Sequence, residues 1–329
     1  MKNSFTAAAA QFTPVSGDPE ANLRKMEKLC DMAAEAGASL IVLPELALTG
    51  YYLKADALRA LAVPQDGSWS APLREKAKKH HLLIAVGYPE LAAVGYPELA
   101  PAADAPAASA ASAAPGSITP GRPAPSMYNS CLLIGSDGQI IGNARKRYLW
   151  GREKRLFLRG ASFDVFETEL GKLSVLLCYD MEYPEPSRIA ALKGADLILC
   201  PAAWSRKAAH RWRVETAANA LFNLVYVAGA NFLDENCCGN ARIVGPDGTV
   251  IAEGCTPEAG TAAENRPAAE NRPAAENAPA APEDCIVTAL ISPEELERCR
   301  AEIPYWQDLD PQILAEVSTE RCQAPLRFL

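Results

Sequence analysis

The chain has 329 residues, of which 49% are hydrophobic and 22% charged, and its formal net charge is -8. This balance is typical of globular proteins and argues against a mostly disordered chain. An acidic chain without a long basic run is a poor candidate for binding nucleic acid or an anionic membrane. No apolar stretch approaches the ~20 residues of a membrane span, and the N-terminal Ala run is too short for a signal peptide. The predicted compartment is therefore the cytoplasm.

Outside two segments of unusual composition, the chain alternates predicted strands with predicted helices. Asp18 is placed to cap the first helix, which begins at Pro19 and ends at Gly37. The alternation predicts an α/β layered fold. In chain order, the predicted elements are a strand at 5–12, the helix from Pro19, a strand at 39–45, a helix at 69–81, a strand at 81–88, a hairpin at 128–146, a strand at 172–180, a helix at 184–195, a strand at 196–204, a helix at 207–223, a strand at 224–231 and a hairpin at 241–254.

The two unusual segments have the composition of surface loops. Residues 93–100 repeat the eight residues before them, AVGYPELA, and an Ala- and Pro-rich tract continues to Ser126. The segment 256–284 carries AAENRP twice and AAENAP once. Neither segment has enough large apolar side chains to offset the entropy lost on ordering. We therefore predict a single domain spanning 1–329, with low-complexity loop insertions at about 93–126 and 256–284. The alternative for the first insertion is a lid over the functional site.

Three ionisable side chains of different kinds come directly after apolar strands. Glu45 follows SLIVLP, Lys146 follows IIGNAR, and Cys178 follows KLSVLL. Ligands of α/β proteins gather at the carboxyl ends of strands. An acid, an amine and a thiol that converge there are costly as structure and useful as chemistry. Taken singly, each has an ordinary alternative: a helix cap, a solvated turn residue and an inert buried thiol.

The cysteines and histidines offer little for a metal site. The chain has ten cysteines and three histidines, and the adjacent Cys237 and Cys238 have no second cysteine pair at zinc-finger spacing. Without a secretion signal, most of the cysteines are expected to be reduced and buried. We therefore expect neither a metal site nor a Cys–His catalytic pair.

Three motifs, in this order along the chain, resemble those of the nitrilase (carbon-nitrogen hydrolase) superfamily: LPELALTGY, NARKRYLWGREKRLF and LLCYDMEYPEPSR. The segments AAAAQFTP, PAAW and VAGAN extend the resemblance over nearly the whole chain outside the insertions. The resemblance implies a four-layer α-β-β-α sandwich and a Glu-Lys-Cys triad. The matching residues are Glu45, Lys146 and Cys178, and Glu153 matches a further acidic residue of the family's site.

These residue types suit the hydrolysis of a carbon–nitrogen bond without a metal or an organic cofactor. A thiol with an ordinary pKa of about 8.5 is mostly protonated at neutral pH, so Glu45 would accept its proton during attack. Lys146 and backbone N–H groups, including that of Tyr179, would stabilise the oxyanion. Glu153 would orient Lys146 or bind the leaving amine. Its alternative is an ordinary surface position between two basic neighbours.

The nucleophile motif begins with Cys-Tyr-Asp, which resembles the start of this motif in the amidase and carbamoylase branches of the family. The predicted substrate is a small carboxamide, cleaved to acid and ammonia. Hydrolysis of an N-carbamoyl amine or amino acid is the second candidate, and hydrolysis of a nitrile is the third. The alternative of another class is a non-catalytic scaffold or a thiol redox sensor. We also expect a homodimer or a higher homo-oligomer.

Several side chains are candidates for the pocket wall, and one position departs from the pattern of the family. For Tyr52 and Trp204 the alternative is ordinary packing, and Arg206 is a candidate partner for a substrate carboxylate. Phe222 stands where relatives often carry an acidic residue, on the helix before the last core strand, so any contact of that carboxylate is absent here. The candidates for the pocket wall are Tyr52, Tyr148, Trp150, Trp204 and Arg206.

Overall fold

The computed structural model describes residues 1–92, 127–256, 284–313 and 315. Apart from Thr256 and Asp284, the two predicted insertions lie outside the described residues. In the described part of the chain, the strands and helices are β1 (Phe5–Phe12), α1 (Pro19–Glu35), β2 (Ala38–Val42), α2 (Ala55–Ala60), α3 (Ala71–His80), β3 (Leu83–Leu91), β4 (Met127–Ile134), β5 (Ile140–Arg145), β6 (Val165–Thr168), β7 (Gly171–Val175), α4 (Pro184–Leu192), β8 (Leu197–Pro201), α5 (Ala209–Asn223), β9 (Tyr226–Phe232), β10 (Arg242–Val244), β11 (Val250–Glu253), β12 (Cys285–Ile291) and α6 (Pro293–Glu302).

The strands form two sheets that meet at the end of β1. In the first sheet the order is β5-β4-β3-β2-β1, and β12 pairs antiparallel with β1. In the second sheet the order is β9-β8-β7-β6, and the hairpin of β10 and β11 pairs with β9. Strand β1 joins the sheets because its last residues, Gln11 and Phe12, pair with Asn231 and Phe232 of β9.

Side chains of alternate strand residues separate the structure into layers. Leu40 and Val42 of β2 pack with Leu199 of β8 in the core between the two sheets. Ile41 points to the opposite face of its sheet, where it packs in a separate core under α1 and α3. On the outer face of the second sheet, Trp212 of α5 packs in the core under α4 and α5. This alternation follows from the period of two along a strand. The layers are therefore helix, sheet, sheet and helix, and the predicted α-β-β-α sandwich is confirmed.

The first helix begins and ends where the sequence predicts. The Asp18 side chain accepts a hydrogen bond from the backbone N–H of Ala21, at 2.9 Å, and Pro19 occupies the first turn. After the helix, Gly37 adopts a φ of 72°, which glycine reaches without steric cost. The buried face includes Met26 and Cys30, as the spacing of apolar residues predicts.

Two predicted strands are shorter than expected because the chain turns before the candidate site residues. The strand predicted at 39–45 ends at Val42, and the strand predicted at 172–180 ends at Val175. Residues Cys178–Glu182 instead form a short 3₁₀ helix. The sequence pattern did not predict α2, β6, β12 or α6. In the described part of the chain, no helix is long and apolar enough to cross a membrane.

Candidate active site

Glu45 lies at the tight turn after β2, where its carboxylate is fully buried. Its Oε1 accepts hydrogen bonds from Asn129 Nδ2 at 2.7 Å and from Lys146 Nζ at 2.5 Å. Its Oε2 accepts a hydrogen bond from the backbone N–H of Ala203, at 3.0 Å. Both oxygens are therefore held by donors from other segments of the chain, and the carboxylate has one fixed orientation. Glu45 therefore does not cap a helix, which was the alternative for this residue.

Lys146 follows β5 and is also fully buried. Its backbone N–H donates to the carbonyl oxygen of Asn129, at 2.8 Å. Its ammonium donates to Glu45 and to Glu153 Oε1, the latter at 2.9 Å. Burial alone would lower the pKa of Lys146, but the negative charges of Glu153 and Glu45 outweigh it and raise the pKa well above its ordinary value. The amine is therefore charged at neutral pH.

Glu153 completes this buried cluster from a short 3₁₀ helix over Gly151–Arg155. Besides Lys146, its Oε1 accepts a hydrogen bond from the Tyr51 hydroxyl, at 2.6 Å. Its Oε2 accepts one from the backbone N–H of Trp150, at 2.8 Å. Burial raises the pKa of Glu153 even though the charge of Lys146 opposes the shift. The alternative of an ordinary surface position is wrong.

Cys178 lies beside this cluster and is partly exposed, unlike the two groups that it faces. Its φ of 46° places it in the left-handed region, so the chain bends sharply where the thiol emerges. Burial and the charge of Glu45 raise the pKa of the Cys178 thiol well above its ordinary value, and Lys146 only partly opposes them. The resting thiol is therefore protonated at neutral pH.

Asp180 ties the segment of Lys146 to the turn that carries Cys178. Its Oδ1 accepts hydrogen bonds from the backbone N–H groups of Arg147 and Tyr148, at 3.2 and 2.7 Å. Its Oδ2 accepts one from the backbone N–H of Leu177, at 3.2 Å. Burial raises the pKa of Asp180 to about 7, although these donors favour the carboxylate. One buried acid therefore holds two separate segments together.

Aromatic side chains lie at the rim of the site. Tyr52 is 44% exposed, and its hydroxyl lies 3.8 Å from the sulfur of Cys237. Tyr179 accepts a hydrogen bond from the Tyr183 hydroxyl, at 2.9 Å, and its ring meets the half-exposed ring of Trp150 edge to face. The ring of Tyr52 meets that of Tyr51 edge to face, with centroids 5.1 Å apart, and the Tyr51 hydroxyl donates to Glu153. Tyr52, Trp150 and Tyr179 are thus partly accessible at the site.

Other predicted pocket residues lie further into the structure or are turned toward other groups. Tyr148 stacks on Tyr183, with ring centroids 4.0 Å apart. The Trp204 ring is buried 5.1 Å from that of Trp212, so the packing alternative describes its side chain. The backbone N–H of Arg206 donates to the carbonyl oxygen of Asn236. Phe222 is exposed on α5.

Three of the residues that hold the site were not predicted from the sequence: Tyr51, Asn129 and Asp180. For Asn129 a signal was present, because counting back along the hairpin from the Asp137–Gly138 turn puts it opposite Lys146. Asp180 lies within the nucleophile motif, but its role depends on the 3₁₀ helix that replaces the predicted strand end. Among the described residues, no group of three His, Cys, Asp or Glu side chains is arranged to hold a metal ion.

The chain is similar to known proteins over most of its length. The model of the family described as carbon-nitrogen hydrolase matches residues 6–270. A probable nitrilase of Schizosaccharomyces pombe is 30% identical over 250 residues, which are 74% of this chain and 82% of that protein. The 2-oxoglutaramate amidase of Bacillus subtilis is 29% identical over 256 residues, 76% of this chain and 86% of that protein.

A solved structure has the same fold at lower sequence identity. It is a mutant of the amidase from Nesterenkonia sp. AN1, in which the acetamide moiety of fluoroacetamide is covalently added at the active-site cysteine. Its TM-score is 0.66 at 21% identity, and the match covers 96% of this chain and 98% of that chain.

The substitution Gly87→Ala tests how closely β3 approaches the turn that carries Glu45. A Cβ at Gly87 would lie 2.3 Å from the carbonyl oxygen of Pro44 and 2.7 Å from the Cα of Glu45. We therefore expect Gly87→Ala to lower the free energy of unfolding by about 3 kcal/mol and to displace the carboxylate. Chemical denaturation and kcat at a temperature where the variant is folded are the measurements.

Gly37→Ala is the matched control for Gly87. A Cβ at Gly37 meets no atom within 4 Å, so only its positive φ costs free energy, about 1 kcal/mol. This control should keep wild-type kcat. Wild-type stability and activity of Gly87→Ala would contradict the close approach.

Asp180→Asn tests the link between the Lys146 segment and the Cys178 turn. The amide supplies one acceptor oxygen in place of two, so at least one of the three backbone N–H groups loses its partner. We expect a stability loss of about 1–3 kcal/mol and a fall in kcat of at least about tenfold. Asp137→Asn, in the exposed β4–β5 turn, should change neither quantity. An Asp180→Asn enzyme with wild-type kcat would show that the link does not position the site.

Proposed function

Because the chain belongs to the carbon-nitrogen hydrolase family, we propose that it hydrolyses a small carboxamide to a carboxylic acid and ammonia. The observation that carries this proposal is the buried cluster of Glu45, Lys146 and Glu153 beside Cys178, a residue that is itself partly exposed. A buried ammonium held by two carboxylates is an expensive way to stabilise a fold. Next to a thiol, it supplies a base and a cation for nucleophilic catalysis.

In the first step, Cys178 attacks the amide carbon while Glu45 takes the thiol proton. The raised pKa of Cys178 means that little thiolate is present beforehand, so proton transfer must accompany attack. The fixed orientation of Glu45 supports this role. Its carboxylate is held on both oxygens, so little reorganisation is needed at the moment of transfer.

Lys146 stabilises the oxyanion that forms when the carbonyl carbon becomes tetrahedral. It remains an ammonium because Glu153 and Glu45 raise its pKa. A fixed cation in a site that excludes water lowers the energy of the developing negative charge more than it would in solution. Backbone N–H groups of the turn at Cys178, including that of Tyr179, are the further donors of this proposal.

In the second half of the reaction, Glu45 first donates the proton that it took from Cys178 and then accepts one from water. The C–N bond breaks, the leaving nitrogen takes a proton from Glu45, and ammonia departs, leaving the acyl group as a thioester on Cys178. Water then loses a proton to Glu45 as it attacks the thioester carbon, and the thiol leaves with that proton. The products are the acid and the free enzyme, with no net change in Glu45.

Similarity to named amidases supports an amide as the substrate. The similarity between this chain and the 2-oxoglutaramate amidase of Bacillus subtilis extends over most of both proteins. The adduct on the active-site cysteine of the Nesterenkonia amidase supports a covalent intermediate in this fold. The N-carbamoyl and nitrile alternatives are distinguished by a panel of substrates. The homo-oligomer and the cytoplasmic location remain predictions.

Cys178→Ala tests the nucleophile. We expect ammonia release from the reactive amide in a panel of carboxamides, N-carbamoyl compounds and nitriles to fall by at least about a thousandfold, because no thioester can form. In the wild type, intact-mass spectrometry during turnover should detect the acyl adduct. Cys131→Ala, which removes a buried thiol outside the cluster, should keep activity near that of the wild type. Activity of Cys178→Ala within tenfold of the wild type would exclude this nucleophile.

Glu153→Gln tests whether the second carboxylate keeps Lys146 charged and oriented. The amide conserves size and an acceptor oxygen but removes the negative charge next to the ammonium. We expect kcat to fall by at least about a hundredfold with a smaller change in KM, since the oxyanion partner acts in the transition state. Glu167→Gln, on the exposed part of β6, is the control. A change in KM alone would assign Glu153 to substrate binding instead.

A further inference from the structure

Two cysteines outside the candidate active site lie where the two sheets are joined. Cys255 follows β11, a strand of the second sheet, and Cys285 begins β12, a strand of the first sheet. Gln11 of β1 lies between them. It pairs with Cys285 in the β1–β12 ladder, and its Nε2 donates to the sulfur of Cys255 at 2.9 Å. The two thiols are thus brought to the same side chain from different sheets.

Cys255 and Cys285 both lie next to Gln11, the first through a hydrogen bond of its side chain and the second through the β1–β12 ladder. Residues paired directly opposite each other in an antiparallel ladder project their side chains to the same face, so the Cys285 side chain lies on the Gln11 side that Cys255 contacts. The backbones on both sides are fixed by bonds that do not involve sulfur. The carbonyl oxygen of Cys255 accepts from the backbone N–H of Asn240 at 2.9 Å, and the Asp284 carboxylate accepts from the backbone N–H of Thr13 at 2.9 Å.

Exposure distinguishes Cys255 from the other cysteines. Among the cysteines that the structure describes, Cys255 is the exposed one, Cys285 and Cys178 are partly exposed, and the others are buried. Thiol–disulfide exchange requires access of the oxidant to sulfur. An accessible thiol next to a second, less accessible thiol is the arrangement in which an intramolecular disulfide forms after the first exchange.

We propose that Cys255 and Cys285 form a reversible disulfide that crosslinks the two sheets when the protein meets a low-molecular-weight disulfide such as glutathione disulfide. The Cys255 thiolate attacks one sulfur of the oxidant, whose S–S bond breaks and releases one thiol. The Cys285 thiolate then attacks Cys255 Sγ and releases the second thiol. The oxidant gains two electrons and two protons, and the protein loses the same.

The disulfide changes stability more than it changes the active site. It closes the chain between Cys255 and Cys285, which lowers the entropy of the unfolded state. Neither cysteine contacts Glu45, Lys146 or Cys178 in the hydrogen bonds described above. The proposal is therefore independent of the reaction that the enzyme catalyses, and its test needs no substrate.

The direct test is peptide mapping of the full chain after equilibration with glutathione disulfide and trapping of free thiols with N-ethylmaleimide. Trypsin alone leaves both cysteines in one peptide, so a protease that cleaves after glutamate is added to separate them. We expect a crosslinked pair containing Cys255 and Cys285, which dithiothreitol separates. A glutathione adduct that stays on Cys255, a pair with another cysteine, or two alkylated thiols would overturn the proposal.

Thermal unfolding gives a second, independent readout. The oxidised wild type should have a Tm about 5 °C above that of the reduced protein. The difference should vanish in Cys255→Ser and in Cys285→Ser, and it should persist in Cys299→Ser, which lacks a thiol elsewhere in the C-terminal region. The same difference in all three variants would assign the shift to other cysteines and refute the crosslink.

Discussion

The structure of the candidate site depends on one buried ammonium that lies between two buried carboxylates. Removing a charge from water costs several kcal/mol, and the cost is repaid only when the geometry is good and every remaining lone pair is satisfied. Lys146 donates to Glu45 and Glu153, and the other carboxylate oxygens accept from Ala203 and Trp150 backbone N–H groups. These requirements fix the segments that follow β2, β5 and β8, because each supplies part of the cluster. The sandwich thus positions the site through its strand ends.

The backbone around this cluster has unusual conformations that serve the same requirement. Leu46 and Cys178 both have positive φ angles, which bend the chain directly after Glu45 and at the thiol. Gly87 leaves no room for a side chain under the Glu45 turn. Such conformations cost free energy and persist only where neighbouring contacts determine them. Here the neighbouring contacts are those of the charged cluster and of Asp180, so local backbone strain and site geometry are coupled.

Sequence patterns predict the charged residues of the site better than the residues that hold them. Glu45, Lys146 and Cys178 each follow an apolar run, so the sequence singles them out, and the resemblance to the carbon-nitrogen hydrolases implies that they form one site. The contacts of Asn129 and Tyr51 depend on register and on the path of a turn, which the periodicity of apolar residues does not fix. The same limit explains why the ring of Trp204, a residue beside the site in sequence, lies in the core. Strand β12 was not predicted because it is a short apolar run next to a low-complexity segment. Such a run gives no indication of the strand with which it pairs.

The electrostatics of the cluster favour one catalytic strategy over another. A cysteine beside a lone cation has a lowered pKa and reacts as a preformed thiolate. Here Lys146 is shared by two carboxylates, and burial together with the charge of Glu45 raises the pKa of Cys178 in spite of the cation. The thiol therefore stays neutral until a substrate carbon accepts its electrons, and Glu45 must take the proton in the same step. The arrangement that keeps Lys146 charged for the oxyanion thus also keeps the nucleophile protonated at rest. This limits the reaction of Cys178 with oxidants, because the thiolate is the reactive form.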